Sequence, residues 1–509
     1  MNRILRNLLT IILGLISSLV SGQTTLEVET QATVSSGEHT PFWLQANKYG
    51  LSSLEKTNGY LRTHLYHPVS NDSTRDFEFG WGADVAVAHH FTSTLVIHQA
   101  YAEARWRHGL LTIGSKEQPL QLKSNELSSG SQTLGINSRP VPSVRLELKD
   151  YWTVPYTRGL VALKTHMAYG IQTDDRWQKD FTHQQSKYTE HTLIHTKSGY
   201  IRVGNPRRAV TMEIGLEMGC LFGGRSHQFS TGKESILEND GGFLGFLHAF
   251  VPAGGDKEEG DYKNKEGNHL GSYVLRLNID QPTWNAGIYG DHFFEDSSQM
   301  LFFEYDGYGE GEHYNDWEKS RWFLYHLRDM MLGAEVRLKR QRWVNHLVCE
   351  YIYSKHQSGP VYHDRTPHLS DHVAGRDNYY NHYIHTGWQH WGQVQGNPLY
   401  RSPIYNEDGT IRVLNNRFSA WHIGIGGTPL PDMSYRILAT WQQGFGTYDD
   451  PTTKPEYGRY LLAECQYAFP ANNVLHDWSI KCAFGYDHSF WTGDNIGGQV
   501  TLARRIPFN

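Results

Sequence analysis

The chain has 509 residues, of which 39% are apolar and 13% aromatic, and it contains 50 glycines. That composition does not fit ordinary packed α/β domains and points to one large β structure. The negative mean hydropathy excludes a helical membrane protein, and a formal charge of -6 without basic blocks or zinc spacing leaves no case for nucleic acid as a partner.

Leu8 to Val20 is apolar but too short to span a bilayer comfortably. It follows Arg3 and Arg6 and ends in the small residues Ser21 and Gly22, the pattern of a secretory signal peptide over 1–22 with cleavage before Gln23. Losing the two arginines makes the mature chain more acidic, and no cysteine follows to carry a lipid anchor. Leu26 to Val34 then alternates, with Leu26, Val28, Ala32 and Val34 on one side and Glu27, Glu29, Gln31 and Thr33 on the other. His39 to Leu51 breaks the alternation; Pro41 opens what reads as a short helix carrying Phe42, Trp43 and Leu44, although the residues alone also allow a surface loop.

From Phe77 a period of two is the rule. Phe77, Phe79, Trp81, Val85 and Val87 share one face, and Glu78, Gly80, Gly82, Asp84 and Ala86 the other. The second face is small and polar, as suits a strand with lipid outside and a crowded wet lumen inside. Val210 to Gly219 and Ile480 to Asp487 repeat the pattern, and further strands are expected near 160–169, 273–279, 284–290, 332–338, 344–353, 418–426 and 435–443. Soluble sandwiches also alternate, but segments of about ten residues suit tilted membrane strands better than soluble ones. Tyr and Trp gather toward strand ends, as aromatic girdles require. Gly498 to Phe508 ends the chain on an alternating segment with an aromatic residue next to last, resembling the closing strand of outer-membrane barrels, apart from Pro507 and Asn509. Eighteen strands of about ten residues would occupy roughly 180 positions, leaving ample chain for long loops. Gly223 to Asn268, rich in Gly, Asn and charge, reads as one or two of them.

Candidate chemistry is sparse. Glu295 and Asp296, followed by Asp306, Glu310 and Glu312, offer carboxylates for a glycosidase pair or for calcium, but no spacing fixes either. The 28 histidines are scattered, and no carboxylate or cysteine completes a site around His382 and His385, so no metal or other cofactor is expected. No Gly-x-Ser-x-Gly elbow occurs. Cys465 and Cys482 are placed to face each other across a hairpin, as a disulfide or as buried free thiols like Cys220 and Cys349. In Ser128 to Arg145, stiffened by Pro140 and Pro142, Asn137 and Arg139 can present donors into the lumen or to an acidic polysaccharide, or Arg139 and Arg145 can pair with luminal Glu78 or Asp84.

The densest stretch is Gly375 to Leu399, where Tyr379, Tyr380, Tyr383, Trp388 and Trp391 interleave with Asp377, Asn378, Asn381 and several histidines. Few aliphatic residues accompany them, which reads as a polar aromatic surface suited to sugars: rings to stack and amides to meet hydroxyls. Aromatic packing at a membrane interface is the competing account. With 291–299, the Asp306-Gly307 turn, 350–364 and Gly396-Asn397-Pro398-Leu399, this stretch resembles the Wzi-type capsule-assembly proteins of Gram-negative outer membranes, in their Bacteroides-like form, from about His39 to the C-terminus. The resemblance implies a monomeric outer-membrane barrel with a helical plug near 39–58 and a non-catalytic role in attaching capsular or other exported polysaccharide. The expectation is therefore an all-β, transmembrane, antiparallel barrel of about 18 strands over 23–509, contacting outer-membrane lipid. Its candidate glycan residues are Asp377, Asn378, Tyr379, Tyr380, Asn381, Trp388, Trp391 and Arg139. A porin-like channel and a surface glycan hydrolase are the alternatives.

Overall fold

The computed structural model describes residues 24–69, 76–230, 232–250, 268–295, 302–303, 313, 322–323, 328–362 and 373–508. The segment 1–22 and residues Asp296, Asp306, Glu310 and Glu312 lie outside them. One 18-stranded antiparallel sheet closes on itself. In chain order its strands are β1 Thr24–Gly37, β2 Thr57–His67, β3 Phe77–His89, β4 Leu95–Trp106, β5 Gly109–Ser115 and β6 Ser143–Thr153. Then come β7 Val161–Ile171, β8 Leu193–Val203, β9 Val210–Phe222, β10 Asn268–Asp280, β11 Trp284–Glu295 and β12 Met330–Leu338. The sheet ends with β13 His346–Tyr353, β14 Phe418–Leu430, β15 Met433–Gly446, β16 Pro451–Ala468, β17 Trp478–Ser489 and β18 Asn495–Phe508. Closure is made by β18 on β1, from Thr24 opposite Phe508 to Gly37 opposite Asn495. With no edge left, every strand finds hydrogen-bonding partners on both sides, the condition for β structure in lipid.

Burial is inside out. Phe77, Phe79, Val85 and Val87 are exposed, whereas Glu78, Asp84, Ala86 and Ala88 are buried. The same parity holds in β17, and in the first part of β9, where Val210 and Ile214 are exposed; from Glu217 to Phe222 both faces of β9 are buried. A water-soluble sandwich would bury the opposite face, so the pattern marks the outer wall as lipid-facing. Among the described residues no helix is long and apolar enough to cross a membrane. The lumen is lined by ion pairs between neighbouring strands. Glu78 sits directly opposite Arg105, which it meets at 3.2 Å, and Asp84 takes Arg62 at 2.5 Å; within β6, Arg145 takes Glu147 at 2.8 Å. The expected pairing of Arg139 and Arg145 with Glu78 or Asp84 is thus corrected, because adjacent strands supply nearer cations.

The strands meet in tight connections at one end, such as 107–108 and 431–432, together with Thr24 and Phe508. The long connections, 116–142, 172–192, 223–267, 296–329 and 354–417, are all at the other. Within 172–192, helix α2 (Asp175–Phe181) precedes the short strand Tyr188–Glu190, which pairs with a hairpin of Arg225–Ser230 and Lys233–Glu238. So the expected loop after β9 is external but structured, and it continues into helix α3, Phe243–Phe250.

Among the described residues, segments from the long-loop end enter the lumen. Helix α1, Phe42–Gln45, is buried. Its Phe42 N–H donates to Asp487 at 2.7 Å and the Trp43 indole to Thr440 at 3.1 Å. The expected helix after Pro41 is present, while residues from Thr57 belong to β2 and not to that insertion. The longer insertion, 116–142, brings Asn137 and Arg139 with it, as their possible luminal role requires. It leaves β5, touches strands half-way round the barrel and returns to β6. Cys465 and Cys482 are register partners across β16 and β17. None of the four cysteines forms a disulfide, and only Cys220 is buried; Cys349 and Cys482 are exposed, so burial is not the general state expected of them.

Candidate functional site

The long-loop end of the barrel is organised by the stretch 375–400 resting on 128–137. Tyr379 is 0% exposed, and Tyr380 and Trp388 are each 1% exposed. Phe293 of β11 meets Tyr379 and Tyr380 edge-on, at 4.7 and 5.4 Å between ring centres, and Tyr400 lies 4.2 Å from Tyr380. The polar tips of Tyr379, Tyr380 and Trp388 are satisfied. The Tyr379 hydroxyl donates to Asp329 at 3.1 Å, the Tyr380 hydroxyl to the Gln132 carbonyl, and the Trp388 indole N–H to the Thr133 carbonyl at 2.9 Å. The Trp388 ring rests on Gly219 of β9, where an added Cβ would stand 2.3 Å from it. The turn that brings Trp388 back to the Tyr380 carbonyl, at 2.9 Å, uses Gly387 at φ +83°.

The reading of this stretch as a polar aromatic surface is therefore corrected for Tyr379, Tyr380 and Trp388. They form a core of rings and amides, because a barrel interior, lined by polar wall residues, is filled by side chains that carry both apolar area and hydrogen-bonding tips. The interface account fails equally, since these rings face the lumen and not lipid.

The remaining candidates stand nearer the surface. Trp391 is half-buried; its backbone N–H donates to Asp174 at 2.9 Å, and the Arg139 guanidinium lies 4.3 Å over its ring. Arg139 also donates to Thr92 at 2.5 Å and, through its carbonyl, accepts from His390 at 2.9 Å. Burial lowers the Arg139 pKa to about 10. Asp377, Asn378 and Asn381 line an open cavity of about 400 Å³ at the mouth, together with Lys187, Glu295, Tyr383, Arg412 and Asp449. Asn381 holds the backbone of Val413 through both its amide atoms, at 2.9 and 2.8 Å, and Asn378 donates to Asp449 at 2.7 Å. These amides thus fix the wall of the cavity while bordering it.

Two residues of this cavity escaped the sequence, and a third, Tyr383, was read only as one ring of the aromatic stretch. Tyr383, 65% exposed, is the aromatic ring of the stretch that faces outward. Lys187 and Arg412 come from distant loops, so no spacing reveals them. The Lys187 amine donates to the carbonyls of His382 and Tyr383, and desolvation lowers its pKa to about 8. Burial likewise holds His382 well below the usual histidine range and His385 at about 3.

Beneath the mouth, the inserted segment meets three luminal carboxylates. Lys123 pairs with Asp291 of β11 at 2.7 Å. Ser128 and Ser129 donate to Glu350 of β13 at 2.5 and 2.6 Å, and Ser131 donates to Glu217 of β9 at 3.0 Å. Farther round, His422 of β14 contacts the Leu127 carbonyl at 2.8 Å. Elsewhere Asp84, His98 and Glu117 converge as metal-ligating groups do. Arg62, however, donates to both Asp84 and Glu117, so a cation already occupies that charge.

No protein-family model matches the chain, and no curated protein matches it in sequence. In three dimensions it is similar to Wzi, an outer-membrane protein involved in group 1 capsule assembly in Escherichia coli and a carbohydrate-binding β-barrel. The TM-score is 0.57 at 13% identity, over 98% of this chain and 88% of that one. It also matches Acinetobacter baumannii OccAB2 (TM-score 0.47, 8% identity, 96% of this chain and 100% of that one). A further match is Pseudomonas aeruginosa OccK3 (OpdO), with TM-score 0.44 and 10% identity over 95% of each chain. At these identities the likeness to Wzi shows the fold, that of an outer-membrane β-barrel.

Proposed function

We propose that the protein binds capsular or other exported polysaccharide at the cell surface and helps attach or organise it there, without catalysis and as a monomer in the outer membrane of a Gram-negative bacterium. The observation that carries this reading is the cavity at the long-loop end. It is open, of a size that takes one or two sugar rings, and bordered by the amides of Asn378 and Asn381, the carboxylate of Asp377, the cations Lys187 and Arg412, and the outward ring of Tyr383. Sugars need that combination of donors, acceptors and a flat apolar face. The fold shared with Wzi, a carbohydrate-binding β-barrel, adds support. Trp391 and Arg139 serve as a second stacked surface, and Tyr379, Tyr380 and Trp388 hold the loop in place.

The test is equilibrium binding of purified protein to the producing strain's own capsular polysaccharide. Tyr383→Ala and Arg412→Ala each remove a surface group, and each is expected to weaken binding by about 1–2 kcal/mol, roughly 5- to 30-fold. Absence of saturable binding by the wild type would end the proposal.

The hydrolase alternative draws on one observation, that Glu295, Asp377 and Asp449 border the same cavity. Glu295 already accepts the Tyr380 N–H at 2.6 Å, and Asp449 accepts from Asn378. Release of reducing ends from the polysaccharide, abolished by Asp377→Asn, would replace the binding role with catalysis.

A further inference from the structure

We infer that helix α3, in the loop after β9, is an interfacial helix that lies in the outer leaflet of the membrane, on the outside of the barrel, and binds lipid acyl chains. Its orientation is the first argument. The helix buries its small residues, Gly245 and Ala249, and exposes its bulky ones: Phe243 is 78% exposed, Leu244 60% and Leu247 47%. A helix packed on a protein in water turns its large apolar side chains inward. Here Gly245 and Ala249, one turn apart, let the backbone approach the wall, and the apolar bulk points away from protein.

The second argument is where the helix sits. It packs on Tyr169 of β7 and Phe222 of β9, with the Phe246 ring 5.0 and 5.2 Å from theirs. Tyr169 shares its face of β7 with the exposed Met167 and Ile171, and Phe222 shares its face of β9 with the exposed Val210 and Ile214. Both faces belong to the lipid-contacting wall, so α3 covers that wall and continues its apolar surface. Tyr169 and Phe222 lie at the long-loop ends of their strands, the level at which aromatic girdles meet headgroups.

The third argument concerns polar groups. His195 and Lys197 of β8 also point outward, in the parity of the exposed Ile201 and Val203. Bare, they would present a cation and an imidazole to hydrocarbon. Helix α3 covers them: the Lys197 amine donates to the Phe250 carbonyl at the helix C-terminus, and the Tyr169 hydroxyl donates to the Phe246 carbonyl at 2.9 Å. A cation at a helix C-terminus is favoured by the dipole as well. The helix thus converts a polar patch of wall into an apolar one, and continuity with the barrel's own lipid-facing band identifies the occupant as acyl chains.

Site-directed spin labelling tests this in phosphatidylcholine vesicles holding the full barrel. Nitroxides are placed at Leu244→Cys and, separately, Leu247→Cys, with Glu234→Cys on the external hairpin as the aqueous reference, after Cys349, Cys465 and Cys482 are replaced by alanine. The ratio of collisions with oxygen to collisions with a water-soluble nickel chelate is expected to be several-fold higher at 244 and 247 than at 234. Equal ratios would place the helix in water and overturn the inference. Low access to both reagents at 244 and 247 would also overturn it, because protein and not lipid would then cover the face.

Discussion

Replacing Trp388 with alanine separates a structural role for this ring from a direct role in ligand contact. The indole is 1% exposed, rests on Gly219 and donates to the Thr133 carbonyl at 2.9 Å. Truncating a buried aromatic side chain to alanine costs about 3–5 kcal/mol, and stranding a buried carbonyl adds about 1 kcal/mol. The loss does not fall on the barrel ladders, in which Trp388 takes no part. It falls on the local docking of 375–400 against 128–137, where the Gly135 N–H donates to the Gln395 carbonyl at 2.8 Å and the Gln395 N–H to Trp388 at 3.0 Å. At 1.4 kcal/mol per decade, amide hydrogen exchange at Gly135 and Gln395 should accelerate by at least about a hundredfold. Strand amides such as Leu216 and Tyr273 should keep their protection. Trp388→Phe, which retains most of the volume but not the N–H, should fall between. Unchanged exchange at Gly135 and Gln395 in the alanine variant, with polysaccharide binding reduced, would refute this reasoning and return Trp388 to the role of a stacking platform.

Other outcomes follow from the same contacts. Gly219→Ala places a Cβ 2.3 Å from the Trp388 ring and should destabilise by about 1–3 kcal/mol through overpacking, read as a lower urea midpoint for loss of loop protection; combining it with Trp388→Leu should recover part of the loss. Lys123→Met leaves Asp291 buried without its cation and should cost about 3–5 kcal/mol in refolding titrations; pairing it with Asp291→Asn should restore most of that, and a single-variant cost below about 1 kcal/mol would show that the pair contributes little. His385 is buried neutral with its pKa lowered to about 3. The open loop therefore binds the proton more readily below the ordinary histidine value. The contribution is whole above pH of about 6.5 and is lost as pH falls toward 3, by about 2 kcal/mol at pH 5. Loop exchange that accelerates between pH 6.5 and 5 after correction for intrinsic rates, and stops doing so in a folded His385→Gln variant, is the expected result.

The barrel was largely legible because its strands report two faces at once. Phe77 to Ala88, Val210 to Gly219 and Ile480 to Asp487 alternate bulky apolar with small or charged residues, and each lies in the wall with the apolar side out. Strands β2, β4, β5, β6, β8 and β16 were not singled out, and for β2 and β16 the physical reason is plain. In β2 the inward face carries Tyr60, Arg62, His64 and Tyr66, as large as anything outside; β16 opens with Pro451, Lys454 and Glu456, which suit the aqueous end of a strand. The position of the aromatic stretch was hidden by a rule that holds for soluble proteins, that cores are aliphatic. A usable signal did exist on the wall: an inward glycine such as Gly219 leaves room for a ring to lie on the strand, and Trp388 takes it. The cavity residues Lys187 and Arg412 carried no signal, because only the meeting of separate loops brings them beside Asn381.

The insertion 116–142 decides between a conducting barrel and a closed one, and its chemistry shows why it stays in place. Glu217, Asp291 and Glu350 are each 0% exposed. In a water-filled channel such carboxylates would be hydrated and would attract passing cations. Here Lys123 neutralises Asp291, and the hydroxyls of Ser128, Ser129 and Ser131 serve Glu350 and Glu217 in place of water. Withdrawing the segment would strip Asp291 of Lys123 and the Gln132 N–H and leave Glu217 and Glu350 with the hydroxyls of Tyr200 and Tyr289, so opening requires water to enter as the chain leaves. The intact protein should therefore give little steady conductance in planar bilayers. A variant in which 119–137 is replaced by a short Gly-Ser linker should give a cation-selective one, since the freed carboxylates would line the path. Steady conductance by the wild type, unaltered by that replacement, would mean that ions pass by another route and would favour the porin-like reading.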